Sequence, residues 1–104
     1  MKIPFMKAHG AGNDFVIIDK NVDLIRKSKK IIKKLCDRRF GIGCDQLILL
    51  KKVGAYHQVA FYNSDGSLGK NCGNGLRCVY KFLVEEKKIK NVIIKSHKFI
   101  HHGK

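Results

Sequence analysis

The stretch Asn71–Cys78, with the sequence NCGNGLRC, organises the rest of the chain. It places a thiol, two glycines and small amides directly before apolar residues that recur from Leu76 to Leu83. Their spacing of three and four residues is typical of one face of a helix. The sequence therefore predicts a helix that runs to about Glu86 and has Cys72 at its entrance.

The entrance of a helix favours negative charge. Its first backbone N–H groups have no partner within the helix and carry about half a positive charge. A Cys72 thiol placed there would have its pKa lowered from about 8.5 toward neutrality, where proton transfer is most effective. The same N–H groups would hold a carboxylate or an enolate, which Gly73 and Gly75 allow to approach closely. The alternative, an inert apolar cysteine beside a glycine turn, is favoured on this octapeptide alone.

The length and composition bound the class of protein. The 104 residues suit a single domain, and an apolar fraction of 44% allows a modest core. No apolar run is long enough to span a membrane, and Met1–Phe5 lacks the apolar region of a signal peptide. We therefore expect a cytoplasmic protein without a membrane partner.

The net charge of +14 arises from 22 basic and 8 acidic residues. A nucleic-acid-binding module would use such charge for phosphate contacts, and this remains the alternative function. However, the basic run Arg26–Lys34 lacks the arginine forks and interleaved aromatic residues of nucleic-acid sites. We favour compositional drift toward lysine, with the lysines on a solvated helix face.

The cysteines and histidines do not predict a metal site. No two cysteines have the close CxxC spacing of a zinc site, and the sequence predicts free thiols. The histidines near the C-terminus have no acidic or cysteine partner at a suitable spacing. The residues concerned are Cys36, Cys44, Cys72, Cys78, His97, His101 and His102.

Apolar patterning predicts a chain in which strands and helices alternate, without repeats or linkers. The predicted strands are Ile3–His9, Phe15–Asp19, Leu47–Lys51, His57–Asn63 and Asn91–Ser96, and the predicted helices are Asp23–Arg38 and Cys72–Glu86. No element is predicted after Ser96. The lysines of the first helix fill its polar face, so it is expected to lie on the surface.

Three loops carry side-chain amides that are able to both donate and accept hydrogen bonds. Asn13 lies in the glycine-rich segment 9–14, Gln46 ends a second glycine-rich segment, and Asn63 begins a strong turn signal. Taken one at a time, each is more simply a turn or loop residue than a ligand.

Together these loops match one family pattern. The segments are His9–Phe15 (HGAGNDF), Arg38–Gln46 (RRFGIGCDQ), Asn63–Ser67 (NSDGS) and Cys72–Cys78 (CGNGLRC). In order and spacing they resemble diaminopimelate epimerase, and the resemblance covers residues 3 to 96. It implies an α/β (α+β) fold in which a mixed sheet wraps around a central helix, as one of two pseudo-symmetric domains.

The resemblance implies a cofactor-free isomerase that converts LL-diaminopimelate to the meso isomer for lysine and peptidoglycan synthesis. By this resemblance Cys72 is one of two catalytic bases, and Gly73 and Asn74 bind the reacting carboxylate. The polar groups of the substrate would be held by Asn13, Gln46 and Asn63.

The resemblance is confined to the N-terminal half of such an enzyme. The second base of the family comes from a cysteine in the C-terminal half, which no part of residues 1–104 matches. Cys78 is no substitute, because it lies almost two helical turns beyond Cys72, whereas inversion needs bases on opposite faces of one carbon. We therefore expect a domain that is inactive alone and that pairs with a complementary C-terminal half or self-associates.

Overall fold

The structure, a computed structural model, describes residues 3–10, 12–70, 73–96 and 100–103, the last by backbone alone. Within these residues, six strands form one sheet in the order in which they occur in the chain. They are β1 (Met6–Gly10), β2 (Asn13–Ile18), β3 (Gln46–Val53), β4 (Tyr56–Asn63), β5 (Val92–Lys95) and β6 (Ile100–Gly103). The helices are α1 (Val22–Arg26), α2 (Lys29–Cys36) and α3 (Gly73–Lys81), which continues as a π-helical turn over Phe82–Glu86.

The sheet is mixed. β2 is parallel to β3 and β4 is parallel to β5, whereas the other neighbouring strands are antiparallel. As a result, the first residues of β2 and β3 and the last residue of β4 meet at one end of the sheet. The predicted α+β class with a mixed sheet is confirmed.

Strand alternation divides the apolar residues into two cores, one on each face of the sheet. One core contains α3 and residues from five strands, so the sheet curls around this helix. Its buried members include Phe15, Ile17, Ile48, Phe61, Val79 and Ile94. The predicted central helix is therefore present, and it covers the face from which Asn13, Gln46 and Asn63 project.

The opposite face packs against α1 and α2. Val16, Leu47 and Leu49 alternate with the residues of the first core and meet Ile25 and Ile32 from the two helices. The lysines of α2 lie on its exposed side, as the amphipathic pattern predicts.

The single helix predicted over Asp23–Arg38 is wrong, because the chain breaks into α1 and α2. Ser28 lies between them in an extended conformation, and its side chain accepts a hydrogen bond from the backbone N–H of Ile31 at 3.2 Å. An N-terminal cap of this kind begins a new helix and ends the previous one.

Other differences lie at the ends of elements. β1 begins at Met6 rather than at Ile3, and β6 pairs with β5 where the sequence predicts no element. Within the described part of the chain, no helix is long and apolar enough to cross a membrane.

Candidate active site

The three predicted amide ligands lie on the α3 face at one end of the sheet. Gln46 and Asn63 are register partners in β3 and β4, and Asn13 is the first residue of β2. The Gln46 side-chain amide donates to Asn63 Oδ1 across a long 3.5 Å contact. Asn13 is exposed and the other two side chains are half-buried. We call these three residues the amide face.

The amide of Asn63 is held from the turn that follows it. Its Nδ2 donates to Ser67 Oγ at 3.1 Å, and its backbone N–H donates to the Ser67 carbonyl at 2.8 Å. Gly69 packs directly on this pair, since a Cβ at that position would lie 2.8 Å from Asn63 Oδ1 and 3.0 Å from Gln46 Nε2. Any larger residue at position 69 would displace the two amides.

The first turn of α3 lies against the same end of the sheet because of a glycine contact. A Cβ on Gly75 would lie 2.5 Å from Phe61 and 3.3 Å from Phe15, so the helix backbone rests on these two rings. Phe15 is the register partner of Gln46. The first turn of α3 therefore packs on residues that directly neighbour the amide face.

Gly10 links Asn13 to Asn74. It is the register partner of Asn13, and a Cβ on Gly10 would lie 3.4 Å from that of Asn74. Gly73, the first residue of α3, is exposed, with no atom within 4 Å of a Cβ built on it. The structure therefore brings five of the six predicted site residues to one end of the sheet. The sixth, Cys72, lies outside the described residues.

A charged cluster lies on the other side of the sheet, directly behind the amide face. The Arg38 guanidinium binds Asp14 through both nitrogens, at 3.0 and 2.8 Å, and also donates to Asp45 at 3.0 Å. The backbone N–H of each aspartate donates to the other's carboxylate, at 3.1 and 2.8 Å. We call Asp14, Arg38 and Asp45 the ion-pair face.

The electrostatics of the ion-pair face follow from these contacts. The Asp14 side chain is 12% exposed, and the two-pronged hydrogen bond from Arg38 holds the pKa of its carboxyl well below the usual range. Lys7 adds a further cation at 3.4 Å. The same pairing raises the pKa of Arg38. Asp14 therefore stays ionised at any physiological pH.

Asp14, Arg38 and Asp45 lie within the sequence motifs, but the motifs alone indicate no role for them. The alternating direction of side chains along a strand indicates where these charged groups lie. Each aspartate is next in sequence to an amide of the other face, so its side chain points the opposite way. Pairing Asp14 with Asp45 through one arginine fixes the two strand starts that carry Asn13 and Gln46.

The cysteines of the described part show two environments. Cys36 and Cys44 are buried side by side and form no disulfide, with the Cys44 thiol donating to Cys36 Sγ at 3.6 Å. The Cys78 thiol donates to the His9 carbonyl at 3.7 Å. Among the described residues, no three potential ligands are grouped to hold a metal ion.

Comparison with solved structures defines the class of fold. Methylitaconate-delta-isomerase matches with a TM-score of 0.69 and 18% identity, over 92% of this chain and 32% of that one. A phenazine biosynthesis PhzF-family protein of Enterococcus faecalis matches with a TM-score of 0.67 and 11% identity, over 96% and 39% of the two chains. The curled mixed sheet around a helix is thus the fold shared by these proteins.

Sequence comparison then identifies the family. A diaminopimelate epimerase family model matches residues 5–98. The diaminopimelate epimerase of Gluconobacter oxydans is 51% identical over 86 residues, which are 80% of this chain and 34% of that protein. That of Pelagibacter ubique is 48% identical over 95 residues, 90% of this chain and 34% of that protein. This chain belongs to the diaminopimelate epimerase family, and it spans about a third of the length of these curated relatives.

Proposed function

We propose that this chain forms the N-terminal half of a cofactor-independent epimerase site, which removes the α-proton of diaminopimelate. The observation that carries the proposal is the convergence of the amide face with the first turn of α3. Family membership supplies the substrate class. Residues 1–104 would act as one of two domains that enclose the substrate.

Each group has a role that suits its chemistry. Cys72 precedes a helix start and would take or return the α-proton as a thiolate. The N–H groups of Gly73 and Asn74 would stabilise the negative charge that passes into the adjacent carboxylate as the proton leaves. Charge stabilisation of this kind is needed because no cofactor is invoked to receive the electrons.

The amide face would orient the substrate. Asn13, Gln46 and Asn63 each offer both a donor and an acceptor, so one set of side chains is able to bind ammonium and carboxylate groups alike. Because the amides are neutral, they neither repel nor neutralise the negative charge of the reacting thiolate. Holding the Cα close to the base supplies much of the reduction of the activation barrier in such reactions.

The second base would come from a complementary C-terminal half. Inversion needs a proton donor on the face of the carbon opposite Cys72. Cys78 does not meet this need, because it lies in α3, six residues beyond Cys72, with its thiol against the His9 carbonyl. By itself the chain would therefore exchange a proton at one stereocentre without inverting it.

The test is exchange of the α-proton of LL- and meso-diaminopimelate in deuterated water, followed by NMR with the full chain. We expect slow exchange that falls at least about 100-fold in Cys72→Ser, the range lost with a general base. Cys78→Ser is the matched control and should exchange like the parent chain. Far-UV circular dichroism and thermal unfolding establish that all three proteins are folded.

Two results would contradict the proposal. One is exchange that is equal in the parent chain and in Cys72→Ser. The other is a folded chain that gives no exchange both alone and after addition of the C-terminal segment of a relative such as the Gluconobacter oxydans enzyme. Inversion restored by that segment would support the two-domain arrangement directly.

A further inference from the structure

Cys36 and Cys44 contribute to the lining of an open pocket that carries more basic than acidic residues. Cys36 ends α2 and Cys44 lies two residues before β3, and both residues are at least 97% buried. Their sulfur atoms are 3.6 Å apart. The pocket measures about 790 Å³, and both cysteines contribute to its lining. The two cysteines are therefore almost fully buried, yet they form part of the wall of a pocket large enough to hold a small molecule.

Backbone contact holds the two residues side by side. The N–H of Cys44 donates to the Cys36 carbonyl at 3.2 Å, which joins the last residue of α2 to the segment before β3. A covalent bond would need the sulfur atoms to approach by about 1.5 Å, the difference between 3.6 Å and a bond of about 2.05 Å.

The rest of the pocket selects for negative charge. Four basic residues line it, Lys33, Lys34, Arg38 and Arg39, against two acidic ones, Asp37 and Asp45. The two lysines and Arg39 are exposed, whereas the guanidinium of Arg38 is engaged by Asp14 and Asp45. A concave basic surface raises the local concentration of anions. An anionic reagent would therefore reach the thiols faster than a cationic one.

We propose that Cys36 and Cys44 form a dithiol site that exchanges with anionic low-molecular-weight disulfides bound in the basic pocket. The site stands apart from the proposed epimerase function and does not depend on it. Nothing in that function uses either thiol.

The exchange proceeds in two balanced steps. The Cys36 thiolate attacks one sulfur of the disulfide RSSR, which breaks its S–S bond and releases RS⁻. The Cys44 thiol then loses its proton to solvent and attacks Cys36 Sγ, releasing the second RS⁻. Two protein thiols are oxidised to one disulfide while RSSR is reduced to two thiols.

The order of attack follows from the contact between the two sulfurs. Cys44 donates its hydrogen to Cys36 Sγ, which lowers the pKa of the Cys36 thiol and raises that of Cys44. Cys36 is therefore the first nucleophile and Cys44 the resolving thiol. The product would close the loop 37–43 covalently, next to Arg38 and Asp45.

The test uses the full chain with Cys72→Ser and Cys78→Ser, so that only the pair remains. Oxidised glutathione is the anionic probe and cystamine the cationic one, and reaction of the folded protein is followed by intact mass. We expect the mass to fall by two hydrogens, with peptide mapping locating a bond between Cys36 and Cys44. At low salt, glutathione should react at least about 10-fold faster than cystamine, and added salt should reduce this ratio.

Further variants test the role of the resolving thiol and that of the basic pocket residues separately. Cys44→Ser should stop at a single glutathione adduct on Cys36. Lys33→Glu with Lys34→Glu should slow glutathione but not cystamine. Lys27→Glu with Lys30→Glu is the matched control, because neither residue lines the pocket, and it should change the rate with glutathione far less.

Three outcomes would overturn the inference. The first is a pair that reacts only in denaturant. The second is a protein that carries two glutathione adducts without an internal disulfide. The third is a reaction rate indifferent to the charge of the probe. Circular dichroism of each variant ensures that an altered rate does not reflect loss of the fold.

Discussion

The two faces of the sheet at the amide end carry opposite chemistry in adjacent residues. Asn13 and Asp14 are neighbours in the chain, as are Asp45 and Gln46, yet alternation sends the amides to one face and the carboxylates to the other. On the ion-pair face, Arg38 binds both carboxylates at 2.8 to 3.0 Å. On the amide face, Gln46 reaches Asn63 only at 3.5 Å.

This difference in hydrogen bonding indicates that the two faces have different roles, one positioning the backbone and the other binding a ligand. Short charged hydrogen bonds fix a backbone, whereas a long contact between neutral amides contributes little and leaves their donors and acceptors available to a ligand. We infer that the ion-pair face stabilises the strand starts and that the amide face is left adaptable. Substitutions on the ion-pair face should therefore cost more stability than substitutions on the amide face.

Removing the Asp14 carboxylate from the ion-pair face should have the largest effect. Asp14→Asn removes the negative charge and one of the two oxygens that accept from Arg38, and a hydrogen bond to a charged group is worth about 1.5–3 kcal/mol. Urea unfolding at pH 7 measures the loss. Asp19→Asn is the matched control, since Asp19 makes one ion pair with Lys87 at 3.0 Å and should cost at most about 1 kcal/mol. Equal losses of unfolding free energy in the two variants would show that the ion-pair face contributes no more than a single ion pair.

Filling the space under α3 should come next. Gly75→Ala places a methyl group 2.5 Å from Phe61, and overpacking of this kind costs about 1–3 kcal/mol. Gly73→Ala is the matched control, because nothing lies within 4 Å of its new Cβ and alanine favours the helix. Thermal unfolding should show Gly75→Ala well below the parent and Gly73→Ala at or above it. The reverse order would mean that α3 does not rest on the rings.

Acid should weaken the ion-pair face before the rest of the domain. The folded-state pKa of Asp14 is lower than its unfolded value of about 3.9. Its stabilisation is therefore complete above that value and is lost as pH falls through it toward the folded value. Urea unfolding between pH 6 and pH 2 should show a steeper loss for the parent chain than for Asp14→Asn. Parallel curves would contradict the assignment.

The smallest effect on stability is expected on the amide face. Gln46→Met removes the long 3.5 Å hydrogen bond to Asn63 and should change the free energy of unfolding by less than about 0.5 kcal/mol. The same change should lower α-proton exchange of diaminopimelate at least about 10-fold, because the substrate loses a donor and an acceptor. A large loss of stability would show that Gln46 is structural instead.

Much of the fold could be predicted from the sequence, because five of its strands have clear apolar patterns of suitable length. The split between α1 and α2 could not, since the apolar spacing of Asp23–Arg38 continues across the break and only the local hydrogen bond of Ser28 decides it. β6 lacks such a pattern and is defined by its pairing with β5.

The candidate site divides in the same way. The amide face could be found through the family motifs, because Asn13, Gln46 and Asn63 each lie in one of them. The ion-pair face depends on a contact between Asp14 and Arg38, 24 residues apart, and spacing alone does not reveal it. The contact between Cys36 and Cys44 is likewise not visible in the sequence, which predicts free thiols but not that the two lie side by side.

The alternation of neutral and charged residues also limits how this end of the domain is able to evolve. A shift of one residue in the register of β2 would place Asp14 under α3 and turn Asn13 toward α2. The carboxylate and the amide would then exchange faces of the sheet. Insertions and deletions should therefore be purged from the strand starts and accumulate at turns such as Gly54–Ala55, between β3 and β4. Across its history, this end of the sheet would change by substitution and keep its length.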